Sequence, residues 1–123
     1  MEIDIYGRNL NVNPKLRAYV ERKMEKLDRY MPDIHEVRVD LAVENSRSDP
    51  EHTQIAQVTL RHSRGTILRA EERTSDLYAS VVGVVDKLYR QIEKYNGRRR
   101  RRTADEQDLF AAYETAVALP DED

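Results

Sequence analysis

The sequence predicts an α+β two-layer sandwich of order β-α-β-β-β-α, a four-stranded sheet with two helices on one face. Three observations predict it. Residues 13 to 31 and 74 to 96 carry apolar side chains at intervals of three and four, as a helix with one buried stripe requires. Four other stretches alternate apolar and polar residues, as strands with one buried face do. The chain of 123 residues is long enough for one core, and the covered face of such a sheet is where both helical stripes find a partner.

The first strand is residues 2 to 8, with Ile3 and Ile5 on one side and Glu2, Asp4 and Tyr6 on the other. Asn13 and Pro14 then start a helix: asparagine is a good N-cap, and proline at the first helical position loses no hydrogen bond. Its stripe is Leu16, Val20, Met24, Leu27 and Met31, with Tyr19 and Tyr30 alongside, and Pro32 and Asp33 end it. Lys15, Arg17, Arg22, Lys23, Lys26 and Arg29 occupy much of the remaining surface against Glu21, Glu25 and Asp28. Glu25 and Arg29 stand four apart, the spacing of a helical ion pair.

Residues 34 to 44 form the second strand, with Val37, Val39, Leu41 and Val43 on the apolar face. A polar loop through Ser46, Ser48, Asp49 and Pro50 leads to a third strand over 53 to 63, with Ala56, Val58, Leu60 and His62 in phase. Arg64 and Gly65 are a tight turn into the fourth strand, 66 to 73. One face of the sheet is expected to be apolar and the other polar.

The second helix has Leu77, Val81, Val85, Leu88 and Ile92 as its stripe. Thr74 or Ser75 can accept from its first amides, Asp76 complements its positive start, and Gly97 is the expected C′ residue. Arg98, Arg99, Arg100, Arg101 and Arg102 follow directly. The composition then flips. Residues 103 to 123 hold seven acids and no lysine or arginine, although Leu109, Phe110, Tyr113 and Val117 keep a helical spacing. They are read as an acidic tail or a truncated linker, and residues 1 to 102 as the folded domain with its basic extension.

The formal net charge of −2 conceals this asymmetry, since residues 1 to 102 hold 21 basic and 16 acidic residues, a net of +5. The absence of cysteine excludes disulfides, thiolate metal sites and cysteine nucleophiles. No apolar run spans a membrane and the N-terminus lacks the blocks of a signal peptide, so a soluble cytoplasmic protein is expected.

Catalytic constellations are lacking. His35, His52 and His62 fall in different elements with no metal-ligand spacing, and His62 lies on the apolar phase of its strand, which suits a satisfied core histidine. Glu71 and Glu72 are neighbours on a strand and point to opposite faces, the wrong geometry for a paired-carboxylate site. Four glycines allow no phosphate-binding loop. No enzyme, cofactor, metal or small-molecule substrate is expected.

Binding has better support. Guanidinium groups present planar donors matched to phosphate oxygens, and the five arginines follow a helix whose Lys87, Arg90 and Lys94 share one side at spacings of three and four. A solvated charged face is the plainer account of these lysines, and a partly buried position is the plainer account of Tyr89 and Tyr95. A protein interaction module with an acidic partner and a general duplex-RNA binder both remain compatible with the pattern.

Beyond these generic signals, the stretch from 68 to 95 carries Leu68, Arg69, Ala70, Glu71, Glu72, Thr74, Asp76, Leu77, Tyr78, Ala79, Val85, Asp86, Lys87, Leu88, Gln91, Ile92, Lys94 and Tyr95. With Asn13, Pro14, Leu16, Tyr19, Val20, Lys23, Leu27 and Tyr30, it resembles the ribosome hibernation promoting factors, also called ribosome-associated inhibitor A or light-repressed proteins. The resemblance covers about residues 1 to 97. It implies a fold similar to double-stranded RNA-binding domains and a protein that binds the small ribosomal subunit in the mRNA and tRNA channel. There it would block translation and shelter idle ribosomes in stress and stationary phase. It further implies that Lys23, Lys26, Lys87, Arg90 and Lys94 contact 16S rRNA, with Arg22, Arg29 and the arginine run extending the surface. Long members continue into a second domain that dimerises and so pairs ribosomes. The chain is read as either a short form or the N-terminal fragment of a long form, the linker-like acidic composition before Asp123 favouring the fragment, with ribosome dimerisation expected only if that domain exists. Tyr89 departs from the family, where an acid or another polar residue is common.

Overall fold

The computed structural model describes residues 1–104, with side chains described through residue 97. The elements are β1 (Glu2–Arg8), α1 (Pro14–Glu25), β2 (Ile34–Val43), β3 (Gln54–His62), β4 (Ile67–Thr74) and α2 (Leu77–Ala104). Residues 105 to 123, assigned above to an acidic tail, lie outside the described residues, as do the side chains of arginines 98 to 102. By its internal contacts the chain divides into Met1–Leu88 and Tyr89–Asp123.

Met1–Leu88 contains the whole sheet, α1 and the start of α2. The strands lie in the order β1-β2-β3-β4. β1 runs parallel to β2, with Ile5 opposite Val39. Parallel neighbours need a crossover, and α1 is that crossover. β2, β3 and β4 form an antiparallel meander, with Val39 opposite Val58 and Val58 opposite Ala70.

Asn13 caps α1 as its position predicts: its Oδ1 accepts from the Leu16 amide at 2.8 Å, and Pro14 opens the first turn. Every stripe residue of this helix, Leu16, Val20, Met24, Leu27 and Met31, is buried. They meet Val37, Val39, Leu41, Ala56, Val58 and Leu60 of the sheet in one core, each large side chain contributing roughly 1.5–3 kcal/mol of apolar burial. The last turn departs from the sequence expectation. It tightens into a 3₁₀ turn over Lys26–Arg29, closed by the Tyr30 amide on the Leu27 carbonyl at 3.0 Å. The Glu25–Arg29 pair that a continuous α-helix favours is not formed among the described residues.

The turn into β4 is as read. Gly65 has φ +94°, its amide bonds the His62 carbonyl at 2.9 Å, and the His62 amide bonds the Thr66 carbonyl at 2.8 Å. That is a three-residue hairpin loop with glycine at its left-handed position. His62 is the satisfied core histidine that its phase predicts. Its Nε2 lies 3.0 Å from the Pro32 carbonyl, and its Nδ1 accepts from the Arg64 amide at 3.2 Å, so the ring proton sits on Nε2.

The outer face of the sheet is less polar than the alternation suggests. Ala42 and Ile55, paired across β2 and β3, point outward yet are only 6% and 5% exposed. Glu44 bridges Arg8 at 3.0 Å and Arg73 at 3.1 Å, and the stems of these arginines flank the Ala42–Ile55 pair, leaving a shallow depression of about 280 Å³. Arg38 lies 4.5 Å from the centre of the Tyr6 ring and pairs with Asp40.

α2 corrects one boundary. It does not stop at Gly97 but continues through the arginine run to Ala104, 28 residues or about 42 Å at 1.5 Å each. A single interior glycine costs only about 1 kcal/mol, and arginine is among the better helix formers. No proline intervenes before Pro120. The arginines therefore prolong the helix rather than leave it at a loop. In Met1–Leu88 the buried stripe is Ser80, Val81, Val84, Val85 and Leu88; in Tyr89–Asp123, Ile92 and Gly97 are buried.

Candidate nucleic-acid interface

The basic side of α1 follows from its apolar side. Burying Leu16, Val20, Met24 and Leu27 leaves Arg17, Arg22, Lys26 and Arg29 exposed and Lys23 half-buried. Lys26 and Arg29 both lie in the 3₁₀ turn, where residues three apart eclipse, so the tightened turn lines up two cations. Arg22 and Lys23 are in the last turn of α1, next to its negative end. Among the described residues, Arg22, Lys23, Lys26 and Arg29 form no ion pair with a carboxylate. Their charge is available to an outside anion.

A tyrosine organises this group. The Tyr19 ring stands edge-on to Tyr78 of α2, with centroids 4.8 Å apart and planes at 73°. Lys23 Nζ lies 5.4 Å and Arg22 Cζ 6.0 Å from the Tyr19 ring centre. The ring thus packs α1 on α2 in a T-shaped pair and restrains two cations. The spacing of Tyr19, Arg22 and Lys23 at i, i+3 and i+4 is the sequence signal for this arrangement; the partnership with Tyr78 has none.

Lys87 is placed differently. It is exposed on α2, but its Nζ donates to the Glu71 carbonyl at 2.8 Å and to Glu72 Oε1 at 3.0 Å. Two of its three donors are thus used inside the protein. Glu71 and Glu72 do point to opposite faces: Glu71 pairs with Arg73 on the outer side at 2.7 Å, and Glu72 faces the helix. In Tyr89–Asp123, Arg90 and Lys94 are exposed on the continuation of α2, and Tyr89 and Tyr95 are half-buried. Arginines 98 to 102 lie on helical backbone, and their side chains fall outside the described residues.

The other titratable feature is His52, whose Nδ1 is 2.6 Å from Asp49 Oδ1 in the loop before β3. That hydrogen bond and the carboxylate's charge raise the imidazole above its ordinary value. Among the described residues no cluster of three or more histidines and carboxylates is arranged to hold a metal ion. No described helix is long and apolar enough to cross a membrane.

These features define a class: a small α+β domain with a sheet open on one side, helices on the other, and an unpaired cationic surface on its first helix. The same architecture is seen in the Thermus thermophilus Protein Y N-terminal domain, which superposes with a TM-score of 0.66 and 31% sequence identity over 77% of this chain and 99% of that one. The chain belongs to the family described as Sigma 54 modulation protein / S30EA ribosomal protein, whose model matches residues 3–100. It is 40% identical over 102 residues to the ribosome hibernation promotion factor of Lactococcus lactis subsp. cremoris, covering 83% of this chain and 53% of that protein. It is 39% identical over 92 residues to the protein of the same name in Deinococcus radiodurans, covering 75% of this chain and 47% of that one. The chain spans about half the length of these relatives.

Proposed function

We propose that the protein is a ribosome hibernation factor. Its domain binds the small ribosomal subunit on 16S rRNA in the channel used by mRNA and tRNA, inhibits translation and stabilises idle ribosomes. The observation that carries this reading is the set of cations Arg22 and Lys23 on α1 and Lys26 and Arg29 in the 3₁₀ turn that follows it, which pair with no carboxylate among the described residues, in a chain 40% identical to a protein named ribosome hibernation promotion factor. Lys87 adds to this surface, and Arg90, Lys94 and arginines 98 to 102 are further RNA contacts of the Tyr89–Asp123 unit.

The mechanism is occupancy rather than catalysis. A rigid face of ammonium and guanidinium groups displaces counterions from phosphates, so affinity falls with salt. Helical RNA offers a backbone pattern rather than readable base edges, so the surface recognises the shape of the rRNA. The work is cytoplasmic, needs no membrane, cofactor or small-molecule substrate, and rises in demand when synthesis idles in stationary phase and stress.

The test is cell-free translation with increasing amounts of the protein, paired with binding to small subunits carrying or lacking mRNA and tRNA. Synthesis should fall as subunits saturate, and prior occupancy of the channel should exclude the protein. Undiminished synthesis at saturation would overturn the reading.

A further inference from the structure

The cations proposed to meet phosphate do not share one starting state. Among the described residues, those of α1 and its 3₁₀ turn pair with no carboxylate, whereas Lys87 is held by one. Glu72 sits on the helix-facing side of edge strand β4, opposite Ala56, in line with Ala70 and Thr74. An ion-paired carboxylate is unusual there, and the helix is shaped to accept it. A Cβ at Gly83 would stand 2.7 Å from both Cγ and Oε2 of Glu72, so a larger residue there would force the carboxylate out of its present position against α2. One turn on, Lys87 closes the slot from above through its bonds to Glu72 Oε1 and the Glu71 carbonyl. The glycine, four residues before the lysine, lies on the same helical side.

We propose that Glu72 is an intramolecular competitor for phosphate at Lys87, which makes it an affinity-setting residue of the ribosome-binding surface. This rests on the reading of Lys87 as an rRNA contact. The pair is neutral as a unit and solvent reaches it, with side-chain exposures of 46% for Lys87 and 31% for Glu72. A phosphate approaching Lys87 meets a carboxylate of like charge and competes with it for the ammonium. The lysine therefore adds less to binding than an unpaired cation of α1.

The experiment measures affinity for purified small subunits at fixed salt for the wild type, Glu72→Gln, Lys87→Met and the double variant. Glutamine keeps the shape of the side chain and an oxygen for Lys87 but removes the charge. Glu72→Gln should bind about 2- to 5-fold more tightly than wild type, the size of an exposed ion pair's contribution. The gain should vanish in the Lys87→Met background. Unchanged or weaker binding by Glu72→Gln would overturn the proposal. So would an equal gain with and without Lys87, which would mean that Glu72 acts only through the net charge of the domain. Wild-type protein that fails to bind small subunits would instead overturn the ribosome reading itself, and this inference with it.

Discussion

Ser80 Oγ donates to the Gln54 carbonyl at 2.6 Å and lies 2.8 Å from Thr74 Oγ1, with Ser80 wholly buried. One hydroxyl thus joins the first turn of α2 to the first residue of β3 and the last of β4. The helix that carries Lys87 is fixed at its start by this junction and by Thr74, whose Oγ1 accepts from the Asp76 amide at 3.1 Å. Ser80→Ala removes the donor and leaves the half-buried Gln54 carbonyl without this bond. It should destabilise the fold by about 1–3 kcal/mol, read from urea unfolding at constant m-value. A shift of the midpoint within error would show that water replaces the bond.

The core prediction concerns Leu27, fully buried in the 3₁₀ turn that also presents Lys26 and Arg29. Leu27→Ala should cost about 2–5 kcal/mol through lost burial and the cavity left behind. Because the same turn aligns the two cations, small-subunit binding should weaken under conditions where the variant is still folded. Unfolding monitored by circular dichroism, with binding measured below the transition, separates the two effects.

Gly83 and Glu72 should be coupled in stability. Alanine at position 83 gains about 1 kcal/mol of helix propensity, but its Cβ collides with Glu72 at 2.7 Å. Gly83→Ala should therefore bring little or no gain in the wild type and about 1 kcal/mol in a Glu72→Ala background. Thermal unfolding of the four proteins in the cycle checks this; equal effects in both backgrounds would rule out the slot.

His52 should titrate above an ordinary histidine, because Asp49 stabilises its protonated form. A folded-state pKa raised above the unfolded one contributes stability that is fully present below the unfolded value of about 6.5. That contribution is lost as pH rises through the higher folded value. Asp49→Asn should bring the His52 midpoint down in an NMR titration, and its stability deficit against wild type should be present at acid pH and absent well above the transition.

Much of this was legible in the sequence. The stripe of the first helix is legible in full because a one-sided helix has a fixed period, and Asn13 with Pro14 marks a helix start through local chemistry alone. His62 and the Gly65 turn were legible for the same reason, since phase and left-handed backbone are local properties. What escaped was set by partners distant in the chain. Ala42 and Ile55 are covered by arginines that meet only through Glu44, and Tyr19 meets Tyr78 some sixty residues on. Glycine at 97 looked like a stop, but its roughly 1 kcal/mol is too small to end a helix followed by five good helix formers. The basic side of α1 could be listed from sequence. That its members pair with no carboxylate among the described residues while Lys87 pairs with Glu72 depends on a contact between β4 and α2, fifteen residues apart in the chain.

The measurement closest to the central claim is co-sedimentation with purified small ribosomal subunits over a salt series, comparing wild type with a variant carrying Arg22→Glu, Lys26→Glu and Arg29→Glu. The account predicts tight low-salt binding by the wild type that weakens as salt rises, with a log–log slope of roughly −0.7 to −0.9 per phosphate contact. It predicts that the variant loses most of this affinity while unfolding at a similar temperature. A variant that binds as tightly as wild type, or a wild type that prefers plain RNA duplex to the subunit, would contradict it.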